Sequence, residues 1–342
     1  LKKLVESLGM PFLPSPMGRG FIPDDHPLNM NAARSAVMRN CDVALVVGAR
    51  LNWMFDFGRS FRPDAKVIHV DIEPEEIGTN RAVEVGIVGD AGVVLRQLLA
   101  EMEGKTRGMA EKAEEGPWLS ALRAEVKKNA VAVDAVMASD AKPIHTHRLL
   151  KEIRDVFPRD TIYSVDGQTT LAAGRQTFTP AGRLNSGGNG CMGVGVPFAV
   201  GAKLARPNVP VVSVNGDCAF GFNGMEVGTA ANYRLPIVFI VNNNSGIVGG
   251  AFQSRMQVAP GFNDYISTYD PSFRYDMIGA AFGAHTENVT EPSDIRPALQ
   301  RAYDASRRGQ VALVHVVSDP KDTGTMRGAQ QGGGRASALL GY

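Results

Sequence analysis

The forty residues from Val211 to Gly250, VVSVNGDCAFGFNGMEVGTAANYRLPIVFIVNNNSGIVGG, restrict the fold more than any other stretch of the chain. Two short runs, Val211 to Val214 and Ile237 to Val241, are apolar, rich in β-branched residues and bounded by Asn and Gly. That is the pattern of strands buried on both faces of a parallel sheet. Between them Gly224 to Tyr233 has helix-forming content, and the whole has the length of a strand, crossover helix and parallel strand. In open parallel sheets, ligands bind beyond the carboxyl ends of the strands. Asp217 follows the first run and Asn244 the second, so this unit can bring a carboxylate and an amide oxygen together from 27 positions apart.

Such a pair suits a hard divalent cation. Mg2+ takes an octahedron of oxygens and is commonly held by one or two carboxylates, waters and substrate phosphates. Asp217, the Asn244 side chain and the backbone carbonyl of Gly246 would supply three ligands, and a diphosphate two more. Gly216, Gly221, Gly224 and Gly246 allow backbone amides to approach phosphate oxygens closely. The same residues also suit a purely structural role, with Asp217 capping the next helix and residues 242–246 forming a turn.

The run GDCAFGFNGMEVGTAANYRLPIVFIVNNNSGI resembles the signature of thiamine-diphosphate enzymes, a GD pair followed by NN at the end of the next strand. Within them it is similar to the branch containing 2-hydroxyacyl-CoA lyases and oxalyl-CoA decarboxylases. The resemblance implies that Asp217, Asn244 and the Gly246 carbonyl hold Mg2+ against the cofactor diphosphate, with Gly216, Cys218, Ala219 and Ile247 beside it. It also implies that Met192 wedges between the two cofactor rings and that the Gly190 carbonyl accepts a hydrogen bond from the exocyclic amine. Unbranched, polarizable Met suits such a wedge, although an ordinary core methionine has the same properties.

The expected fold class is α/β, with two doubly wound parallel-sheet domains. Helix and strand patterns alternate from the start: a helix at Asn31 to Arg39, strands at Val43 to Val47 and Val67 to Val70, and a helix at Ala91 to Met102. The segments GARLNW and VDIEP resemble the middle domain of the same branch, which implies a role in binding the CoA nucleotide and a possible separate ADP. Arg34 and Arg50 are the phosphate-contact candidates, with surface ion pairing the competing role. Residues 101–117 are charged, poor in apolar residues and read as a linker, followed by a helix at Trp118 to Met137. The expected division is therefore a middle domain over 1–103, a linker and connecting helix over 104–141, a thiamine-diphosphate and Mg-binding domain over 142–318, and a tail or lid over 319–342.

In the second domain a helix is expected at Pro143 to Phe157 and a strand at Thr161 to Val165. That strand delivers Asp166 to Thr170 to the edge carrying Asp217, where Gly167 and Gln168 could contact diphosphate or form a plain turn. His145 and His147, spaced by two, would lie on different helix faces, which argues against a shared metal; His69, His285 and His315 also read as structural. Gly188, Gly190 and Gly193 satisfy G-x-G-x-x-G with Asp217 further on, as in an NAD-binding fingerprint. That fingerprint needs an apolar strand feeding its first glycine, and Arg183 to Ser186 does not read as one. An NAD oxidoreductase and a non-catalytic nucleotide-binding module are the rival classes.

Charge and cysteine usage exclude several others. Lys plus Arg number 36 against 35 Asp plus Glu, so no overall basic field points to nucleic acid or an anionic membrane. Three widely spaced cysteines, Cys41, Cys191 and Cys218, argue against a disulfide scaffold and for a reducing compartment, with a cytoplasmic location expected. No apolar run is long enough to span a membrane, and LKKLVESLG lacks a signal-peptide core.

The resemblance leaves two reactions open, cleavage of a 2-hydroxyacyl-CoA or decarboxylation of oxalyl-CoA, because both yield formyl-CoA. Where decarboxylases of this branch tend to carry an aromatic residue after the NN motif, this chain has Val248, and the smaller side chain favours the lyase. The glutamate that activates the cofactor belongs, in this family, to an N-terminal pyrimidine-binding domain. The opening LKKLVESLG reads as the back half of a helix, so that domain is expected to be absent here. A complete site would then need the missing segment, normally within a homodimer or tetramer.

Overall fold

The computed structural model describes residues 1–177, 182–247 and 268–322 of the 342-residue chain. These fall into two compact units, one of residues 1–15 and 25–131 and one of residues 16–24 and 132–322.

The first unit carries helices α1 (Lys2–Leu8), α2 (Arg34–Asn40), α3 (Ala91–Glu101), α4 (Met109–Glu114) and α5 (Pro117–Met137) up to Val131, the last residues of α5 being counted with the second unit. Its strands β1 (Val43–Val47), β2 (Lys66–Asp71) and β3 (Val85–Val88) form a parallel sheet in that order. The third strand has no counterpart in the sequence reading, because VGIV is too short to show a period. Met38, Val46, Leu51, Met54, Phe55 and Val67 make its core. α3 starts where the Asp90 carboxylate accepts the Val93 amide at 2.9 Å, satisfying one of the open donors of the first turn. The charged stretch read as a linker contains α4.

The second unit is built on six parallel strands in the order β5-β4-β6-β7-β9-β8. The strands are β4 (Ile162–Asp166), β5 (Gly182–Leu184), β6 (Val211–Gly216), β7 (Val238–Asn243), β8 (His285–Val289) and β9 (Ala312–Val317). The helices are α6 (Thr146–Val156), α7 (Gln168–Thr177), α8 (Gly195–Ala205), α9 (Asp217–Asn223), α10 (Glu226–Asn232), α11 (Asp276–Ala281) and α12 (Ile295–Arg307). Successive strand residues point to opposite faces. Val212, Val214, Ile240 and Val314 therefore pack with Leu149, Leu150 and Ile153 of α6 and Leu299 of α12. Phe239, Val241 and Leu313 meet Val196 of α8, Phe220 of α9 and Val227 of α10 on the other side. Burial on both faces is why β6, β7 and β9 are apolar almost throughout.

Three expectations need correction. The crossover after β6 becomes helical at Asp217 itself, not at Gly224, and is broken into α9 and α10. Gly224 stands at the break, and only a glycine fits there, since a Cβ would stand 2.6 Å from the Phe220 ring. Arg183 and Leu184, read as no strand, belong to β5, which pairs with β4 and so needs no apolar run of its own. Finally, the helix expected from Pro143 begins at Thr146, with Ile144 instead bridging to Ser318 in parallel fashion.

Residues 16–24 are tied into this unit by polar contacts. Arg19 is paired with Asp24 and donates to the Arg175 carbonyl at 3.0 Å, while the Asn185 side chain donates to the Pro16 carbonyl at 3.0 Å.

Candidate functional site

The chain runs from β4 to β5 on one side and returns to β6 on the other, so the winding reverses between β4 and β6. Such a switch point opens a crevice beyond the strand ends. Gly167 follows β4 and Gly216 closes β6 there, and the two backbones touch: a Cβ on Gly167 would lie 3.0 Å from the Gly216 nitrogen. Gly167 also has φ +89°, a conformation that L side chains adopt only under strain. Gln168 opens α7 from the same point and is half-buried.

Asp217 lies at the start of α9, buried. One carboxylate oxygen, Oδ1, accepts the Cys218 amide at 2.8 Å, and Oδ2 accepts the Gly246 amide at 2.8 Å. Two of the predicted residues, 29 positions apart, are thus in direct contact. Burial pushes Asp217 up to about 6, against the opposing pull of those amides. Asn244, buried, directly follows β7, and its side-chain amide donates to Thr169 Oγ1 at 3.4 Å. Cys218 and Ala219 are buried in the first turn of α9, and the Tyr269 hydroxyl is hydrogen-bonded to the Cys218 sulfur. Ile247 is half-buried; Val248 lies outside the described residues.

The turn that presents Asn244 and Gly246 is strained and held. Ser245 has φ +59°, a left-handed conformation costing a β-substituted residue about 1–3 kcal/mol. Asn243 Oδ1 accepts the Ser245 amide at 3.0 Å, and Asp217 takes the next amide along. Asn243 in turn leans on His315, its Nδ2 donating to Nε2 at 3.0 Å. His315 Nδ1 sits 3.5 Å from Asp276, which Arg274 grips through two bonds of 2.8 and 2.6 Å. Burial holds the His315 imidazole below its usual value, with Asp276 opposing. This chain of contacts reaches the site from α11 and β9, and sequence reasoning assigned His315 only a structural role.

Asp166 was also missed as an organiser, although its place at the end of a strand was legible. Its Oδ2 accepts the amides of Gly193 and Gly195, each at 2.8 Å, and Oδ1 accepts the Gly167 amide at 2.7 Å. Burial raises its carboxyl, and these amides work against that rise. The glycine-rich segment is thereby pinned to the mouth of β4. Gly190 caps a short 3-10 helix with φ +64°, and Met192 follows with its side chain 37% exposed. Gly195 fits only because it lacks a side chain, since a Cβ would stand 2.0 Å from Asn215 Oδ1.

Within the first unit, the Arg34 guanidinium lies 4.5 Å over the Phe55 ring, a cation–π stack, and reaches the Met54 carbonyl at 3.5 Å. Arg50 forms an exposed pair with Glu76 at 3.0 Å. His69 is buried.

His145 and His147 depart from expectation. His145 is not helical but caps α6 with extended backbone, so the two-residue spacing does not separate the rings, whose centroids lie 5.3 Å apart.

A parallel sheet whose switch point gathers a buried carboxylate, an amide and a glycine-rich loop defines a class of diphosphate-binding α/β domain. Residues 166–316 match the family described as thiamine pyrophosphate enzyme, C-terminal TPP binding domain, and residues 1–98 match thiamine pyrophosphate enzyme, central domain. The chain belongs to the thiamine pyrophosphate enzymes, of which it carries these two domains. It is similar to the 2-hydroxyacyl-CoA lyase of Oryza sativa subsp. japonica, 38% identical over 330 residues that cover 93% of this chain and 56% of that protein. It is similar also to 2-hydroxyacyl-CoA lyase 1 of Homo sapiens, 34% identical over 337 residues covering 94% and 57%. The oxalyl-CoA decarboxylase of Escherichia coli (strain K12) is 35% identical over 327 residues covering 94% and 56%. The chain thus spans little more than half the length of these relatives. No helix among the described residues is long and apolar enough to cross a membrane.

Proposed function

We propose that this chain supplies the diphosphate-binding and central parts of a thiamine-diphosphate-dependent lyase that cleaves a 2-hydroxyacyl-CoA to formyl-CoA and an aldehyde or ketone. The observation that carries the reading is the buried Asp217 carboxylate, pushed up to about 6 and joined to Gly246 at the mouth of β6 and β7. Backbone amides reach both of its oxygens, and a dication bound there would favour the charged form that burial opposes. The donor set fits Mg2+: the Asp217 carboxylate, the Asn244 side-chain oxygen and the Gly246 carbonyl are all hard oxygens.

Thiamine diphosphate supplies a thiazolium carbanion able to attack a thioester carbonyl and to store the electrons of the broken bond. The chain's own residues do the holding. Gly167, Gln168 and Gly216 present backbone and amide groups to the diphosphate, with Cys218, Ala219 and Ile247 forming the walls. Met192 would pack against the cofactor rings, and the Gly190 carbonyl would accept a hydrogen bond from its exocyclic amine. Arg34 and Arg50 contact phosphates of CoA, and the central domain offers a place for ADP. The acid that activates the cofactor comes from a segment outside these residues, supplied within a homodimer or tetramer. Three free cysteines suit a reducing compartment such as the cytoplasm.

Likeness to oxalyl-CoA decarboxylase supports a second reading, in which the same site releases carbon dioxide and formyl-CoA. Mass-spectrometric detection of formyl-CoA separates them. With Mg2+ and thiamine diphosphate, product from a 2-hydroxyacyl-CoA establishes the lyase, product from oxalyl-CoA alone establishes the decarboxylase, and product from neither by the full-length protein rejects both.

A further inference from the structure

Away from the β6–β7 mouth, His145, His147 and Asp322 converge at the start of α6. One candidate ligand atom from each lies within 4.8 Å of the other two. Asp322 arrives from 176 positions away, and its Oδ2 accepts the Thr146 amide at 2.8 Å. His147 and Asp322 are buried, while the His145 side chain is 25% exposed.

The hydrogens around His145 pose a conflict. Its Nδ1 accepts the His147 amide at 3.2 Å and so presents a lone pair. The same Nδ1 lies 3.2 Å from Asp322 Oδ2, itself an acceptor. Two acceptors in contact repel, and because Nδ1 has one lone pair, a proton or metal cation placed between it and Asp322 would replace the long bond from the His147 amide.

We propose that His145, His147 and Asp322 bind one transition-metal dication of the Zn2+ class, which clamps the segment after β9 to the amino end of α6. Two imidazoles and a carboxylate are borderline ligands that suit Zn2+, Co2+ or Ni2+ and disfavour Mg2+. This separates the site from the all-oxygen set around Asp217. With bonds of about 2.0–2.2 Å, the ligand atoms of a tetrahedral site stand about 3.4 Å apart. The present spread closes to that by side-chain rotation, and the partly open side at His145 leaves a fourth position for water. Thr146 Oγ1, which accepts from the buried Asn242 amide at 3.2 Å, fixes the backbone between the two imidazoles. The clamp is independent of the lyase reading, because none of its ligands belongs to the diphosphate site.

Co2+ titration of the metal-free chain in excess Mg2+, read by visible absorption, tests the clamp. The expected result is one equivalent of Co2+ with the bands of four- or five-coordinate metal and no thiolate charge transfer, displaced by Zn2+. His147→Gln and Asp322→Asn should weaken uptake by about 100-fold or more, whereas Asp217→Asn should leave it intact. Proton NMR of the Co2+-loaded wild type should show two hyperfine-shifted imidazole N–H signals, a count that holds even if a variant fails to fold. Absence of Co2+ uptake, uptake abolished by Asp217→Asn, or a signal count other than two overturns the proposal; the first would leave a shared proton as the bridge.

Discussion

The Gly246 amide donates to Asp217 Oδ2 at 2.8 Å, tying the turn after β7 to the first turn of α9. Across 29 positions this bond sets the spacing of the strand ends at which the proposed cation would sit. Backbone amides meet both oxygens of this buried carboxylate, the Cys218 amide at Oδ1 and the Gly246 amide at Oδ2.

Replacing that carboxylate should separate stability from binding. Asp217→Asn relieves a charge that burial disfavours but turns one acceptor oxygen into an N–H donor facing the Cys218 or Gly246 amide, so the cation-free protein should lose only about 1 kcal/mol of stability. Mg2+-dependent thiamine diphosphate affinity should fall by roughly 100-fold or more, because the hard anionic ligand is gone. Calorimetric melting and isothermal titration on the same preparations check both halves.

Two glycines of α8 should respond in opposite directions. Gly195→Ala would place a Cβ 2.0 Å from Asn215 Oδ1 and 2.7 Å from the Asp166 Cβ, so overpacking should cost about 1–3 kcal/mol or more. Gly201→Ala meets nothing within 4 Å and should stabilise the helix by about 0.5–1 kcal/mol. Urea unfolding distinguishes a loss from a gain.

His315 should make stability fall on acidification. Burial holds its folded pKa below the ordinary 6.5. As pH drops through about 6.5 the unfolded chain gains a proton that the folded chain refuses, so this contribution is complete above that pH and lost below it, toward the lower folded value. Compared at about pH 7.5 and about pH 5.5, wild type should lose more stability than His315→Gln. An equal loss in both would show that His315 does not set this slope.

Met192 is 37% exposed and so contributes little to the core, which leaves room for the proposed contact with the cofactor. Met192→Ala should therefore change the melting temperature little while weakening thiamine diphosphate binding by about tenfold, the loss of about 1.4 kcal/mol of contact. A large drop in melting temperature with unchanged cofactor affinity would make it an ordinary core methionine.

Much of the second unit was legible because its signals are local. The β-branched runs at Val211 and Ile237 carry their own boundaries in Asn and Gly, and both became central strands. Asp217 and Gly246 could be paired in advance because parallel strands joined by a crossover deliver their ends to the same edge. The third strand of the first unit, the three-residue β5 and the early start of α9 left no such signal. β5 exists through pairing with β4, a partner that periodicity does not report.

Residue types and spacing by themselves determined the α/β class, the strand ends that meet and the oxygen ligands available to a cation. Only the tertiary structure decided which groups support them. Asp166 reaches Gly193 and Gly195, His315 steadies Asn243, and Asp322 arrives beside His145 and His147, in each case across long separations. The imidazole pair shows the reason most directly. A helical period of 3.6 separates residues two apart, but the period applies only inside a helix, and His145 stands just outside one. Where a helix begins, and what folds back against its first turn, depends on the packing of distant segments.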